Sequence, residues 1–220
     1  MQLQDSKIKL YIISGLGANA RVFDKITFNE DIDPVFIDWL MPERDEDFDH
    51  YISRMAEKID DTKAFYLLGY SFGGVLVQEI HKLKPAKKIV ILGSIKSCHE
   101  KSKFFNWNQL LRLYKIVPMS FFSNKKAISY AFFRKANDKR IDKLYEYFTV
   151  RQPYYLKWCI HQILNWKGEE QKEVVQILAD KDVVFPVKNS APDYIIKGAS
   201  HLFPVTRAKE VSDILRKVFG

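Results

Sequence analysis

The sequence predicts an α/β fold: a mostly parallel sheet of about six strands with helices on both faces, interrupted by an inserted helical segment. Three observations carry this expectation. Apolar runs of strand length alternate with stretches that repeat apolar residues at helical spacing, in the order β-α-β-α-β-α-β over residues 8–92. One of those runs passes directly into Gly69-Tyr70-Ser71-Phe72-Gly73 and then into a helical pattern. The composition also shifts abruptly between Lys96 and Lys167, where the strand-helix alternation stops.

Taken in order, Ile8–Ser14 reads as a buried strand, with Leu10, Tyr11, Ile12 and Ile13 in a row. Gly15-Leu16-Gly17 follows as a turn, and Val22, Phe23 and Ile26 give Ala18–Phe28 helical spacing. Pro34–Asp38 is a short second strand and Trp39–Asp49 a polar loop. Phe48–Ile59 has one apolar face formed by Phe48, Tyr51, Ile52, Met55, Ala56 and Ile59. Ala64–Leu68 is the third strand. Gly74–His81 is helical, with Val75, Leu76 and Ile80 apolar, and Lys88–Leu92 is the fourth strand, closed by Gly93-Ser94. Helices are then expected over Phe104–Ile116, Lys125–Lys135, Asp138–Thr149 and Tyr154–Trp166, separated by Pro118, Asn137-Asp138 and Gln152-Pro153. Strands resume at Glu173–Ala179 and Tyr194–Ile196, and Pro204–Phe219 is an amphipathic terminal helix.

Length and composition bound the function. A chain of 220 residues with 47% hydrophobic residues is one domain, or one domain with a sizeable insertion. Cys98 and Cys159 form neither a disulfide framework nor a zinc pattern, which suits a cytoplasmic protein with reduced thiols. No secretory signal is visible, and no apolar run reaches the ~18 residues of a membrane span. The net charge of +8 is uneven: Lys96–Lys167 holds 15 Lys and Arg against 4 Asp and Glu, and 16 of the 31 aromatic residues. No nucleic-acid-binding motif accompanies that charge. Gly15 and Gly17 make a partial dinucleotide fingerprint with Asp38 downstream, but Ala20 stands where its third glycine belongs. A phosphate-binding P-loop lacks its G-K-[ST]. Neither cofactor nor metal is expected.

The chemistry concentrates at Ser71. G-x-S-x-G between a strand and a helix is the context of a nucleophile elbow: a sharp turn exposes the serine hydroxyl, and the helix N-terminus aims amide N–H groups at the reacting centre. A serine hydroxyl is a weak nucleophile at neutral pH and needs a base, with a carboxylate to orient it. Downstream, VVQILA is followed by Asp180-Lys181-Asp182-Val183-Val184-Phe185-Pro186, and the last strand by Lys197-Gly198-Ala199-Ser200-His201.

These three motifs, in this order, resemble the α/β-hydrolase superfamily, over Ile8–Leu92 and Glu173–Phe219. The resemblance implies Ser71 as nucleophile and His201 as base. It implies Asp182 as acid, in a G-x-x-D-x-x-x-P pattern where Ala179 replaces the glycine; Asp180 is the alternative. His50, His81, His99 and His161 lie outside the corresponding loops. The oxyanion-hole amides would be those of Phe72 and Leu16, with Ser14 in place of the usual histidine of H-G-x. Residues 1–97 and 168–220 would form the core and residues 98–167 a helical lid whose aromatics shape an apolar pocket. Arg112, Arg134, Arg140 and Arg151, in the basic segment, are the first arginines to examine for contacts with an anionic substrate. The function implied is a serine hydrolase acting on a small carboxylic ester or thioester, anionic or carrier-bound. Two alternatives share the fold: a triad-dependent lyase of the menaquinone-pathway type, and a non-catalytic binding protein.

Overall fold

The computed structural model describes residues 7–101, 124–133, 135–136 and 138–220. Six strands, β1 (Ile8–Ile13), β2 (Ile32–Ile37), β3 (Phe65–Tyr70), β4 (Lys88–Leu92), β5 (Val174–Ala179) and β6 (Tyr194–Ile196), form one sheet in the order β2-β1-β3-β4-β5-β6. Every neighbouring pair is parallel. The chain leaves β1 for β2 on one side, then returns past β1 to build β3 on the other. This reversal opens a crevice beyond the carboxyl ends of β1 and β3, the place where ligands bind in open α/β sheets.

The described helices are α1 (Phe48–Ala56), α2 (Phe72–Leu83), α3 (Lys125–Phe133), α4 (Ile141–Tyr147), α5 (Pro153–Asn165), α6 (Phe203–Thr206) and α7 (Ala208–Phe219). Successive strand residues point to opposite faces, so the continuous apolar runs feed two cores at once. Ile13, Leu67 and Ile91 pack with Tyr51 and Met55 of α1 and Val75, Leu76 and Ile80 of α2. Their neighbours Ile12, Leu68 and Val90 pack on the other face with Val22, Phe23, Val211, Leu215 and Phe219. Helices therefore cover both faces, as the uninterrupted apolar strands require.

The described residues of the segment between β4 and β5 are built into the first core. Pro153 starts α5 at a position where its missing N–H costs nothing, and Tyr155, Leu156, Trp158 and Cys159 join the cluster around α1 and α2. Trp158 donates its indole N–H to the Glu46 carbonyl at 2.9 Å. Buried Lys101 closes the other end of α5, donating from Nζ to the carbonyls of Leu164 at 2.9 Å and Trp166 at 2.5 Å. Burial draws its pKa down to about 8.

Several boundaries differ from expectation for identifiable reasons. Ala18–Phe28 contains only a 3-10 turn, Ala20–Phe23, continued by an Ile26 N–H bond to Phe23 O. Val22, Phe23 and Ile26 are buried as their spacing implies. Asn19, however, is held by the carbonyls of Tyr147 and Glu146, and its side chain caps Arg21, so tertiary contacts override the helical pattern. β2 starts at Ile32 and tolerates Pro34 because it is an edge strand. The terminal helix is two helices, broken at Arg207 where φ is −130° and ψ 33°. The expected helix over 104–116 lies outside the described residues. The other three expected helices of the segment are α3, α4 and α5, each ending earlier than expected.

Candidate active site

Ser71 occupies the single residue between β3 and α2, with φ 54° and ψ −120°. This conformation is strained for a residue with a side chain, by about 1–3 kcal/mol. It is fixed by the Ser71 N–H bond to Leu92 O at 2.8 Å and by the Gly74 N–H bond to Ser71 O at 2.9 Å. The turn is sharp only because two neighbours are glycine. A Cβ on Gly69 would stand 2.4 Å from Gly73 O, and one on Gly73 would stand 2.3 Å from Ile13 O.

His201 sits in the loop between β6 and α6, and Asp182 in the loop after β5. The two loops are stitched together by the Asp180 N–H bond to Ile196 O (3.2 Å) and the Lys181 N–H bond to Ala199 O (3.0 Å). His201 Nε2 lies 2.9 Å from Ser71 Oγ, and His201 Nδ1 lies 2.6 Å from Asp182 Oδ2. The other carboxylate oxygen of Asp182 accepts from the N–H groups of Val184 at 2.7 Å and Phe185 at 3.1 Å. Asp182 and His201 are both 4% exposed. Water therefore does not compete for the carboxylate, whose lone pairs are directed by two amides and the imidazole. The alternative acid, Asp180, is exposed and accepts instead from the Ala199 amide, 3.3 Å away, so it holds the loop that carries His201.

The imidazole is boxed in. Tyr70 donates its hydroxyl to the His201 carbonyl at 3.0 Å, and its ring lies 5.3 Å from the imidazole. Phe185 covers another side at 5.9 Å. Burial, reinforced by the nearby Asp182 charge, pushes the Tyr70 phenol well above its ordinary range, so it stays a neutral donor. Sequence reasoning missed this residue, although its position one before the serine put it at the strand end.

The two residues expected to supply oxyanion-hole amides flank Ser71, one directly after it and one in the loop after β1. Phe72 opens α2, where helix geometry gives its N–H no acceptor within the helix. Gly15, preceding Leu16, lies so close to Ser71 that an added Cβ would be 3.0 Å from the serine Cβ. Ser14, buried, donates to Ala18 O at 2.6 Å and receives the Trp39 indole N–H at 3.2 Å. The loop is also gripped from the inserted segment. Thr149 and Val150 N–H groups both donate to Gly17 O, and Gly17 N–H donates to the Tyr155 hydroxyl at 3.3 Å.

The remaining candidates fall elsewhere. His50 pairs with Glu46, His81 accepts from the Ala86 amide, and exposed His99 approaches Glu169. His161 lies on α5. Arg140 binds Asp138, and the Arg151 guanidinium lies over the Tyr145 ring at 4.4 Å. Arg112 and Arg134 lie outside the described residues. Among the described residues, Cys98, His99 and Glu169, and separately Glu43, Glu46 and His50, gather potential metal donors. The second group already serves Arg54, which binds both carboxylate oxygens of Glu46 at 2.8 and 2.9 Å. No described helix is long and apolar enough to cross a membrane.

No protein-family model and no curated protein matches the sequence. Solved structures match over nearly the whole chain. A carboxylesterase structure from the thaumarchaeon Nitrososphaera gargenis superposes with a TM-score of 0.69 at 14% identity, covering 98% of this chain and 91% of that one. A lipase-esterase related protein from Clostridium acetobutylicum ATCC 824 gives 0.66 at 16%, covering 98% and 96%. A thermophilic esterase from Thermogutta terrifontis gives 0.60 at 11%, covering 96% and 89%. What these proteins share with the chain is an architecture rather than a sequence, and by that architecture the chain has the α/β-hydrolase fold.

Proposed function

We propose that the protein is a serine hydrolase that cleaves a carboxylic ester or thioester through an acyl-enzyme. The observation that carries this reading is the series from half-buried Ser71 Oγ to His201 Nε2 (2.9 Å), then from His201 Nδ1 to buried Asp182 Oδ2 (2.6 Å). In the proposed reaction Ser71 Oγ attacks the acyl carbonyl as His201 Nε2 takes its proton. The negative charge on the tetrahedral intermediate is met by the N–H groups of Leu16 and Phe72, which need not reorganise to receive it. Collapse expels the alcohol or thiol, which leaves with the proton from His201. Water, activated by the same imidazole, then releases the acid and restores Ser71. Asp182 keeps the imidazole in the tautomer whose Nε2 is unprotonated, and stabilises the imidazolium that forms.

Residues 98–167 act in this reading as a lid on the core of residues 1–97 and 168–220. Support comes from Phe148, Val150 and Tyr155, which reach the Gly15–Gly17 loop beside Ser71. Trp39, Phe72 and Tyr155 give the surroundings an aromatic character. The excess of Lys and Arg in the segment makes anionic or carrier-bound acyl groups the first substrates to try. Both cysteines are free thiols, which fits a reducing compartment such as the cytoplasm.

A fluorophosphonate probe, with intact mass and peptide mapping, tests the reading. Wild-type protein should label at Ser71 alone, and Ser71→Ala should lose both the adduct and ester turnover, by about 10³-fold or more. Folded wild-type protein that neither labels nor cleaves any member of an acyl ester and thioester series would overturn it, and would favour use of the same three residues in a lyase.

A further inference from the structure

We infer that Trp39 is the positioning residue of the oxyanion hole: its indole N–H sets the direction of the Leu16 amide, and its ring seats the Phe72 amide. The inference rests on the ester-cleaving reading and extends it to a residue outside Ser71, His201 and Asp182.

Trp39 follows β2 by two positions, in the loop that leaves the edge strand. Its Nε1–H is 3.1 Å from the Gly15 carbonyl oxygen and 3.2 Å from Ser14 Oγ. Gly15 C=O and Leu16 N–H belong to one peptide unit. That unit is planar and trans, so the two groups point in opposite directions. Whatever anchors the Gly15 oxygen therefore aims the Leu16 N–H. Two donors anchor it: the Ala18 N–H at 2.9 Å, which closes the turn, and Trp39 from outside the turn. A hydrogen bond to the carbonyl end also polarises the unit and makes its N–H a stronger donor.

The same indole lies flat on Phe72, with ring centroids 5.5 Å apart and planes 4° from parallel. Phe72 supplies the second amide. One side chain thus touches the residues on both sides of the space where negative charge would develop, and Tyr155 supports its outer edge at 5.8 Å. Trp39 acts on the peptide units that carry the two amides, whereas His201 and Asp182 handle the proton, so its effect should be separable from theirs.

Trp39→Phe keeps an aromatic ring over Phe72 and removes the N–H. With active sites counted by the acylation burst of a p-nitrophenyl ester, kcat per site should fall about 10- to 100-fold, less than the ~10²–10³ lost when an oxyanion donor is deleted. KM should stay within about twofold, and the midpoint of the kcat/KM–pH profile should stay where it is in wild type. A merely structural defect would lower the number of titratable sites and the Tm but leave kcat per site intact, and that result would overturn the inference, as would a change confined to KM. The crystal structure of Trp39→Phe supplies a readout independent of turnover. A Gly15 carbonyl rotated away from its wild-type direction supports the role, and an unmoved one overturns it. Wild-type protein that fails to label and to turn over ester refutes the hydrolase reading, while the direction of the Gly15–Leu16 peptide still decides whether Trp39 sets it.

Discussion

Asp182 uses each carboxylate oxygen for a different purpose, and this makes its substitution informative. Oδ1 is committed to the Val184 and Phe185 amides, so Oδ2 has one direction left, toward His201. In Asp182→Asn the carbonyl oxygen would keep the two amides, and the NH₂ group would face Nδ1. The imidazole would then place its proton on Nε2 and present an N–H to the serine. A loss of about 10³- to 10⁴-fold in kcat is expected with the fold intact, measured by ester turnover alongside circular dichroism. A second buried carboxylate, Glu46, has a structural task. Burial pushes its pKa up, but Arg54, the Glu43 amide and His50 outweigh that and hold it below the ordinary carboxylate value. A depressed folded pKa contributes stability above the unfolded pKa near 4.5, and that stability is lost as pH falls through the folded value. Glu46→Gln should therefore cost about 2 kcal/mol at pH 7, with a difference in denaturant-unfolding free energy that shrinks below pH 4.5.

At the level of the element, the strand-turn-helix around Ser71 depends on close backbone approach more than on any attractive contact. Gly73→Ala places a methyl against Ile13 O, a backbone atom at the carboxyl end of β1, held between β2 and β3, that cannot step aside. It should cost about 3 kcal/mol, seen as a fall of roughly 6–12 °C in Tm. Elements of this kind are legible in sequence because sterics dictate both the glycines and their spacing. The strands are legible too, since strands buried on both faces read as unbroken apolar runs such as Leu10–Ile13 and Ile89–Leu92. The 3-10 turn at Ala20–Phe23 is not, because Val22, Phe23 and Ile26 satisfy a helical period while the decision lies with Tyr147 and Glu146, far away in sequence. Trp39 and Tyr70 escape notice for the same reason. Each has a polar atom that finds a backbone partner across the fold, on Gly15 and His201 respectively. In sequence, the preference for Asp182 over Asp180 rests on the spacing to Pro186 alone; in the fold the stitched loops turn Asp182 inward and Asp180 outward.

For the whole molecule, the sheet order explains why three residues distant in sequence converge. All six strands are parallel, so their carboxyl ends lie along one edge, and the loops after β1, β3, β5 and β6 deliver Leu16, Ser71, Asp182 and His201 to it. Helix α5, from the segment between β4 and β5, shares this arrangement rather than hanging from it, since it belongs to the same core as α1 and α2. The pairing of β4 with β5, joining Ile89 to Val174 across that entire segment, also imposes an order in time. Ribosomes add about 5–20 residues per second, so the 130 positions between Ser71 and His201 correspond to roughly 6–26 s of synthesis. During that interval the nascent chain carries Ser71 without the imidazole that lies 2.9 Å from it in the folded structure. Under the proposed mechanism, its reactivity toward acyl groups would switch on only when the last strand of the sheet and the loop after it have left the ribosome, and until then the hydroxyl would be harmless.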